Sequence, residues 1–297
     1  MTIFRVALSA FTFLLLSSFP CFSEPLPVVV TLPVLKDFTE QIGRGHVTVK
    51  SLITGLESEH TYTPKPSDMI AIKKARLLVR IGLGLEVWVK ALIRNADRPD
   101  LAIVTTSDAI PLIQDAHSDG HPHGTKGNPH IWLDPENAKI MIRHITEGLI
   151  RLDPAHQEDY LRNQLNYVAQ LDQLTLDLVS KVAALPNRGI ITHHPAWPYF
   201  ARRFGFVIEG NLLTQVGSEP SAKWIGALIQ KIRDKRIKAI VSEPQLSSKI
   251  PKTLAEETGA RIVILSPLTG AIPGTDSYMA LIRYNTEALI TALKAAS

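Results

Sequence analysis

The chain has 297 residues, of which 20% are charged and 45% hydrophobic, and its formal net charge is +4 at pH 7. This length allows one or two domains with large apolar cores. The basic clusters Lys73–Arg76 and Lys231–Lys238 are interspersed with apolar residues, which is typical of solvated helix faces. We therefore expect no nucleic-acid partner.

The N-terminus has the pattern of a secretory signal peptide. Arg5 precedes the apolar run Val6–Leu16, and the small residues Cys21 and Ser23 stand at the −3 and −1 positions of a cut after Ser23. The apolar run is too short to span a bilayer, and no other segment is long and apolar enough to do so. We predict that residues 1–23 are a cleaved signal peptide and that the protein is periplasmic.

The chain has a single cysteine, Cys21. The residues Phe19-Pro20 before it are not the small residues of a lipoprotein cleavage site, so cleavage after Ser23 is favoured over lipidation. The mature chain would then have no disulfide bond and no thiolate metal ligand.

Strand and helix patterns alternate from residue 24 to residue 152. Short β-branched runs separated by amphipathic segments predict parallel βαβ units, and hence an N-terminal α/β lobe over 24–152. The predicted strands are 27–31, 47–53, 77–81 and 102–106, and the predicted helices are 34–42, 66–74 and 86–95.

One long helix is predicted over residues 153–185. This stretch has no Gly or Pro between Pro154 and Leu185, and its apolar residues recur at close to helical spacing. We interpret it as a rigid helix that joins two lobes. The alternation then resumes over 186–297, the predicted C-terminal α/β lobe, with strands at 189–192, 206–209, 239–242 and 261–265 and helices at 196–204, 221–234, 250–258 and 278–294.

Three histidines lie in separate motifs rich in proline and aromatic residues. His60 is in Glu-His-Thr-Tyr-Thr-Pro-Lys-Pro-Ser-Asp, His130 is in Asn-Pro-His-Ile-Trp-Leu-Asp-Pro, and His194 is in Thr-His-His-Pro-Ala-Trp-Pro-Tyr-Phe. Neutral imidazole is the commonest protein ligand for a borderline-soft divalent ion. Because about 65 to 70 residues separate the three, a local zinc finger is excluded and the fold must bring them together.

The positions of these residues relative to the strands place the site in a cleft. His60, His194 and Glu243 follow predicted strands, and ligands of open parallel sheets bind beyond the carboxyl ends of the strands. One lobe would contribute His60 and His130, and the other His194 and a carboxylate. His193 should point away from His194 in extended backbone.

Together these motifs closely resemble the zinc- and manganese-binding solute-binding proteins of bacterial ABC importers. The matching segments are Glu59-His60-x-Tyr62, Pro129–Pro135, His194–Phe200 and Glu243-Pro-Gln245, in order along nearly the whole mature chain. The resemblance implies capture of Zn²⁺ between two lobes and delivery to a membrane permease, with His60, His130 and His194 as ligands. Manganese members tend to have Glu in place of His194, which favours zinc.

The chain departs from this family at one ligand. The family usually has an aspartate after the last strand, where this chain has Ser266. The fourth position is then open to Glu243, Asp276, Glu59 or water, and Glu243 is preferred. Asp276 is more simply explained as a helix cap. For Glu243, a role as a hydrogen-bonding residue at the hinge is an equal alternative to metal ligation.

Two other functions compete with transport of zinc. A secreted zinc hydrolase would use the three histidines, an open water position and Glu59 or Glu243 as base, but the chain has no His-Glu-x-x-His helix. Manganese or iron is the alternative cargo. We expect a monomeric binding protein rather than an enzyme.

A further group of histidines lies in the tract from His117 to His123. This tract is either an incidental Gly-rich loop or a weak zinc-collecting segment.

Overall fold

The computed structural model describes residues 24–114, 127–214 and 217–294. The predicted signal peptide and the tract from His117 to His123 therefore lie outside the described residues. Within the described ranges, no helix is long and apolar enough to cross a membrane.

The first lobe contains a four-stranded parallel sheet in the order β2-β1-β3-β4. Its strands are rich in Val, Ile and Leu because both faces of a parallel sheet are covered by helices. The strands are β1 (Leu26–Val30), β2 (Val47–Ser51), β3 (Leu77–Arg80) and β4 (Ala102–Thr105), and the helices are α1 (Pro33–Gly43), α2 (Pro66–Lys74), α3 (Val89–Ala96) and α4 (Pro135–Leu152).

The second lobe repeats this topology in a parallel sheet of order β6-β5-β7-β8. The long helix α5 (Gln157–Ala183) has 27 residues and is about 40 Å long at 1.5 Å per residue. The remaining elements are β5 (Gly189–Thr192), α6 (Pro198–Phe204), β6 (Val207–Asn211), α7 (Ala222–Asp234), β7 (Ala239–Ser242), α8 (Lys249–Thr258), β8 (Arg261–Ile264) and α9 (Tyr278–Lys294).

The predicted fold class is confirmed: two parallel α/β lobes are joined by one long helix. Helix α4 was missed, although the sequence signals it. Asp134 caps its first turn by accepting from the Glu136 N–H at 3.0 Å, and Pro135 fills the first helical position. The buried residues Met141, Ile145 and Leu149 recur at helical spacing.

The two lobes share packing. One apolar cluster runs from Leu26 in β1 through α5 to Leu293 in α9, and a smaller one lies within the second lobe. The lobes also touch through loops: a Cβ atom at Gly55 would overlap the Thr269 carbonyl oxygen, so only glycine fits there, with its φ of 99°. Because the core is continuous, the domain boundaries at 152 and 186 stay predictions.

Candidate metal centre

Three histidines from distant motifs converge between the lobes. His60 lies in the loop between β2 and α2, His130 precedes a single 3₁₀ turn before α4, and His194 follows β5. The Nε2 atom of His130 lies 3.1 Å from that of His60 and 3.4 Å from that of His194. All three histidines and Glu59 offer ligand atoms within 4.8 Å of one another.

The outer nitrogens of two of these rings face hydrogen-bond acceptors. His130 Nδ1 lies 2.9 Å from Asn128 Oδ1, and His194 Nδ1 lies 2.9 Å from Glu243 Oε1. Each Nδ1 must therefore carry a proton, and the Nε2 atom of each ring, which has a lone pair in the neutral form, points towards the centre of the cluster. Lone pairs at this separation repel unless a cation or a proton lies between them.

Glu59 completes the cluster with a carboxylate oxygen. Its Oε1 lies 3.5 Å from His130 Nε2 and 3.7 Å from His60 Nε2. This oxygen is buried and has no hydrogen-bond partner among the described residues. The indole N–H of Trp88 donates to the Glu59 carbonyl at 3.0 Å and fixes the backbone. A buried carboxylate oxygen that no protein donor satisfies is suited to bind a cation.

Glu243 lies on the other side of His194. Its Oε1 accepts from His194 Nδ1 and, at 3.1 Å, from the Trp197 indole N–H. It is therefore placed to orient the His194 ring rather than to face the cluster. His193 turns away from the cluster and accepts from the Glu243 backbone N–H through its Nδ1 atom at 3.3 Å.

Asp276, the other carboxylate considered as a fourth ligand, lies outside the cluster, and Ser266 occupies the position where the family usually has an aspartate. Ser266 is fully buried, and its hydroxyl donates to the Leu268 carbonyl and accepts from the Leu268 N–H. Asp276 lines a cavity of about 100 Å³ together with Lys36 and Glu40. No sequence signal distinguished Glu59 from Glu243, because both are next to a motif histidine or a strand end.

The electrostatics of the cluster suit a cation. Burial opposes ionisation of Glu59, but its contact with His130 and its attraction to all three imidazoles lower its pKa to about 2. Burial lowers the pKa of His60 to about 3 and also lowers that of His130. Burial has the same effect on His194, but Glu243 outweighs it and raises the His194 pKa. At neutral pH these shifts leave Glu59 ionised and the His60 and His130 rings uncharged.

The segment that carries His130 is fastened to the second lobe. The Trp132 indole N–H donates to the Pro267 carbonyl at 2.7 Å, and the Tyr278 hydroxyl donates to the Trp132 carbonyl at 2.6 Å. The fully buried Asp134 accepts from the Arg203 guanidinium at 2.6 Å. These contacts fix the position of His130 relative to His194.

Two α/β lobes bridged by a helix, with a buried three-histidine and carboxylate cluster between them, define a metal-binding solute-binding protein. Residues 28–292 match the model of the ZnuA family, described as zinc-uptake complex component A, periplasmic, and the chain belongs to that family. Its members are metal-binding components of ABC uptake systems and not enzymes. The predicted resemblance is confirmed, and the hydrolase alternative is set aside.

Relatives of this chain carry names that refer to different metals. A putative metal-binding protein of Treponema pallidum is 32% identical over 250 residues, which cover 81% of this chain and 78% of that protein. The iron-binding protein YfeA of Yersinia pestis is 28% identical and covers 90% of this chain and 86% of its own length. The high-affinity zinc uptake system protein ZnuA of Brucella abortus is 28% identical, and the match covers 86% of this chain and 88% of that protein.

Solved structures agree with the fold. A crystal structure of a ZnuA deletion mutant with zinc bound has a TM-score of 0.81 and 28% identity, over 91% of this chain and 98% of that chain. A manganese-bound periplasmic metal-binding protein from Candidatus Liberibacter asiaticus has a TM-score of 0.78 and 26% identity, and the match covers 90% of this chain and 98% of that chain. The comparisons therefore establish metal binding but leave the choice of metal to the chemistry of the site.

Proposed function

We propose that this protein captures Zn²⁺ in the periplasm and delivers it to an ABC permease in the inner membrane. The ion is the cargo of the protein and binds between the lobes to His60, His130, His194 and Glu59. The observation that carries the proposal is the convergence of three Nε2 atoms on a buried carboxylate oxygen that has no other partner among the described residues.

The spacing of these atoms supports a tetrahedral ion. Zinc bonds of about 2.0–2.1 Å place the ligand atoms of a tetrahedron about 3.3 Å apart. The His130 Nε2 atom lies 3.1 and 3.4 Å from the other two Nε2 atoms, and the Glu59 oxygen lies 3.5 and 3.7 Å from two of them. Small adjustments of side chains would therefore complete the coordination shell.

The donor set favours zinc over manganese. Three imidazole nitrogens and one carboxylate suit a borderline-soft ion, whereas manganese prefers a larger share of oxygen ligands. Iron is the closer competitor, since imidazole also binds iron and one relative is named for it.

Glu59 replaces Glu243 as our candidate for the fourth ligand. The Glu243 oxygen is engaged by the His194 Nδ1 atom and the Trp197 indole N–H, on the side of the His194 ring that faces away from the cluster. The Glu59 oxygen has no such donor. Glu243 would serve as the partner that keeps His194 in its Nδ1–H tautomer.

The remaining parts of the proposal follow from the family. Its members work with ABC permeases, and a cleaved signal peptide at residues 1–23 would place this chain in the periplasm. We also propose that it acts as a monomer whose lobes correspond to 24–152 and 186–297, joined by the helix of 153–185.

Titration of the metal-free mature protein with zinc against a competing chelator tests the proposal, with manganese and ferrous iron titrated in parallel. We expect one tight zinc ion per chain, and a heavy loss of affinity when His60, His130 or His194 is changed to alanine. His144→Ala is the matched control, because His144 is a half-buried histidine of α4 that contacts the Thr106 carbonyl outside the cluster.

The outcomes are distinct. If any of the three changes leaves zinc affinity within about threefold, or about 0.7 kcal/mol, that histidine is not a ligand. Tighter binding of manganese or iron than of zinc would overturn the choice of metal while leaving the site intact.

A further inference from the structure

The side chain of Asn128 links two of the histidines across the lobes. Its Oδ1 atom accepts from the His130 Nδ1–H at 2.9 Å and from the His130 backbone N–H at 3.0 Å. Its Nδ2 atom donates to the carbonyl of Pro195, the residue after His194, at 2.6 Å. We propose that Asn128 is a positioning residue that selects the metal-binding tautomer of His130 and fixes its distance from His194.

The orientation of the Asn128 amide is set by its neighbours. The backbone N–H of His130 is a donor, so the atom facing it must be the amide oxygen, and the carbonyl of Pro195 is an acceptor, so the atom facing it must be the amide nitrogen. An amide with this orientation leaves His130 Nδ1 only the role of donor. The Nε2 atom of His130, the central atom of the cluster, is therefore free to bind a cation.

The backbone of Asn128 is held as firmly as its side chain. The Tyr199 hydroxyl of α6 donates to the Asn128 carbonyl at 2.9 Å and accepts from the Ile113 N–H at 3.0 Å. Asn128 is 1% exposed, so water does not compete for these bonds. Rotation of its side chain would break bonds to both lobes at once.

An asparagine that accepts from the backbone N–H two residues later also forms a common turn, which by itself implies no role at a site. Two further bonds separate Asn128 from that case. Its oxygen also engages the imidazole of a proposed ligand, and its nitrogen reaches the loop of another. Partners of this kind orient metal ligands, and their loss typically lowers metal affinity about 10- to 100-fold.

The inference rests on the proposed zinc site, but its first test does not need the metal. Long-range ¹H–¹⁵N spectra of the metal-free protein at pH 8 report which nitrogen of each histidine carries the proton, and His130→Ala assigns the signals. We expect the Nδ1–H tautomer at His130 in the wild type. In Asn128→Ala we expect a shift to the Nε2–H tautomer, which free imidazole side chains favour, together with a 10- to 100-fold loss of zinc affinity.

Asn128→Asp separates the two roles of the side chain. A carboxylate still accepts from His130 Nδ1–H, but it cannot donate to the Pro195 carbonyl. We expect this variant to keep the Nδ1–H tautomer and to bind zinc with an affinity between those of the wild type and Asn128→Ala. If the alanine variant fails to fold, the tautomer and the zinc affinity of Asn128→Asp still test the role of Asn128.

Asn163→Ala is the matched control. Asn163 is a buried asparagine of α5 that donates to the Ile42 carbonyl outside the cluster, so its loss should lower thermal stability without changing the tautomer or zinc affinity. The proposal is overturned if Asn128→Ala keeps the Nδ1–H tautomer or keeps zinc affinity within threefold. An Asn128→Asp variant with the Nε2–H tautomer, or an equal loss of affinity in Asn163→Ala, would overturn it as well. A wild type that binds no zinc would refute the proposed function but not the tautomer result.

Discussion

The identity of the anionic ligand gives the sharpest test of this site. Glu59→Gln keeps the shape of the side chain and one carbonyl oxygen but removes the negative charge that faces the three imidazoles. We expect it to weaken zinc binding more than Glu243→Gln does. The ranking distinguishes the carboxylate that faces the cluster from the carboxylate that lies behind His194.

The magnitude follows from the burial of Glu59. Unit charges about 4 Å apart attract by about 4 kcal/mol at an effective dielectric constant of about 20, and a bound divalent ion would be closer and doubly charged. The fold itself already desolvates the side chain, with the residue 2% exposed, so metal binding does not incur that cost again. A loss of about 4 kcal/mol corresponds to about a thousandfold in affinity.

Glu243→Gln should cost less. A glutamine oxygen can still accept from His194 Nδ1–H, so the ring keeps its tautomer and loses only part of its orientation. We expect a loss within the 10- to 100-fold range of outer partners of metal ligands.

The assay is competition with a chelator of known affinity at pH 7.5, with both variants and the wild type measured side by side. Glu86→Gln is the control, because Glu86 is buried in the first lobe and accepts from Thr31 and two backbone N–H groups outside the cluster. A larger loss in Glu243→Gln than in Glu59→Gln would refute our choice and restore Glu243 as the ligand.

Acid should destabilise the metal-free protein, because the folded-state pKa values of His60 (about 3) and Glu59 (about 2) lie below their ordinary values of 6.5 and 4.5. Their contribution is complete above pH 6.5 and is lost as the pH falls from 6.5 towards 2, which urea unfolding at pH 8, 6 and 4 would measure. Asp134→Ala should lower the free energy of unfolding by about 2 kcal/mol in the same assay, about half from the lost helix cap and half from the half-exposed Arg203 partner. Ser266→Asp should destabilise the fold by about 3 kcal/mol or more, because it would bury a carboxylate against the carbonyl that the serine hydroxyl now contacts.

Each of these three expectations has its own check. The slope of stability against pH should become shallower in His60→Ala, and an unchanged slope would contradict the assignment. For the Asp134 prediction, Glu40→Ala removes an exposed pair with Lys36 and should cost no more than about 0.5 kcal/mol. If Ser266→Asp unfolds at the same urea concentration as the wild type, a carboxylate is tolerated at this buried position and the prediction is wrong.

The sequence alone determined the architecture and the three histidines. Short β-branched runs such as Val28–Val30 and Ile190–Ile191 favour buried strands, and their alternation with amphipathic segments predicts parallel sheets. The helix over 153–185 followed from the absence of breakers, although its first turn is a 3₁₀ turn at Pro154–His156 and the α-helix proper begins at Gln157. His60, His130 and His194 could be selected because each lies in a motif whose order matches a family.

Only the tertiary structure decided which carboxylate faces the histidines. Glu59 precedes His60 and Glu243 follows β7, so the two are equivalent as sequence patterns. The difference lies in which nitrogen of each ring points inward. That depends on Asn128, which also reaches Pro195, and on Glu243, which contacts His194; both contacts join residues more than 40 positions apart. Ring orientation is set by packing and hydrogen bonds from both lobes at once, and no local spacing encodes it.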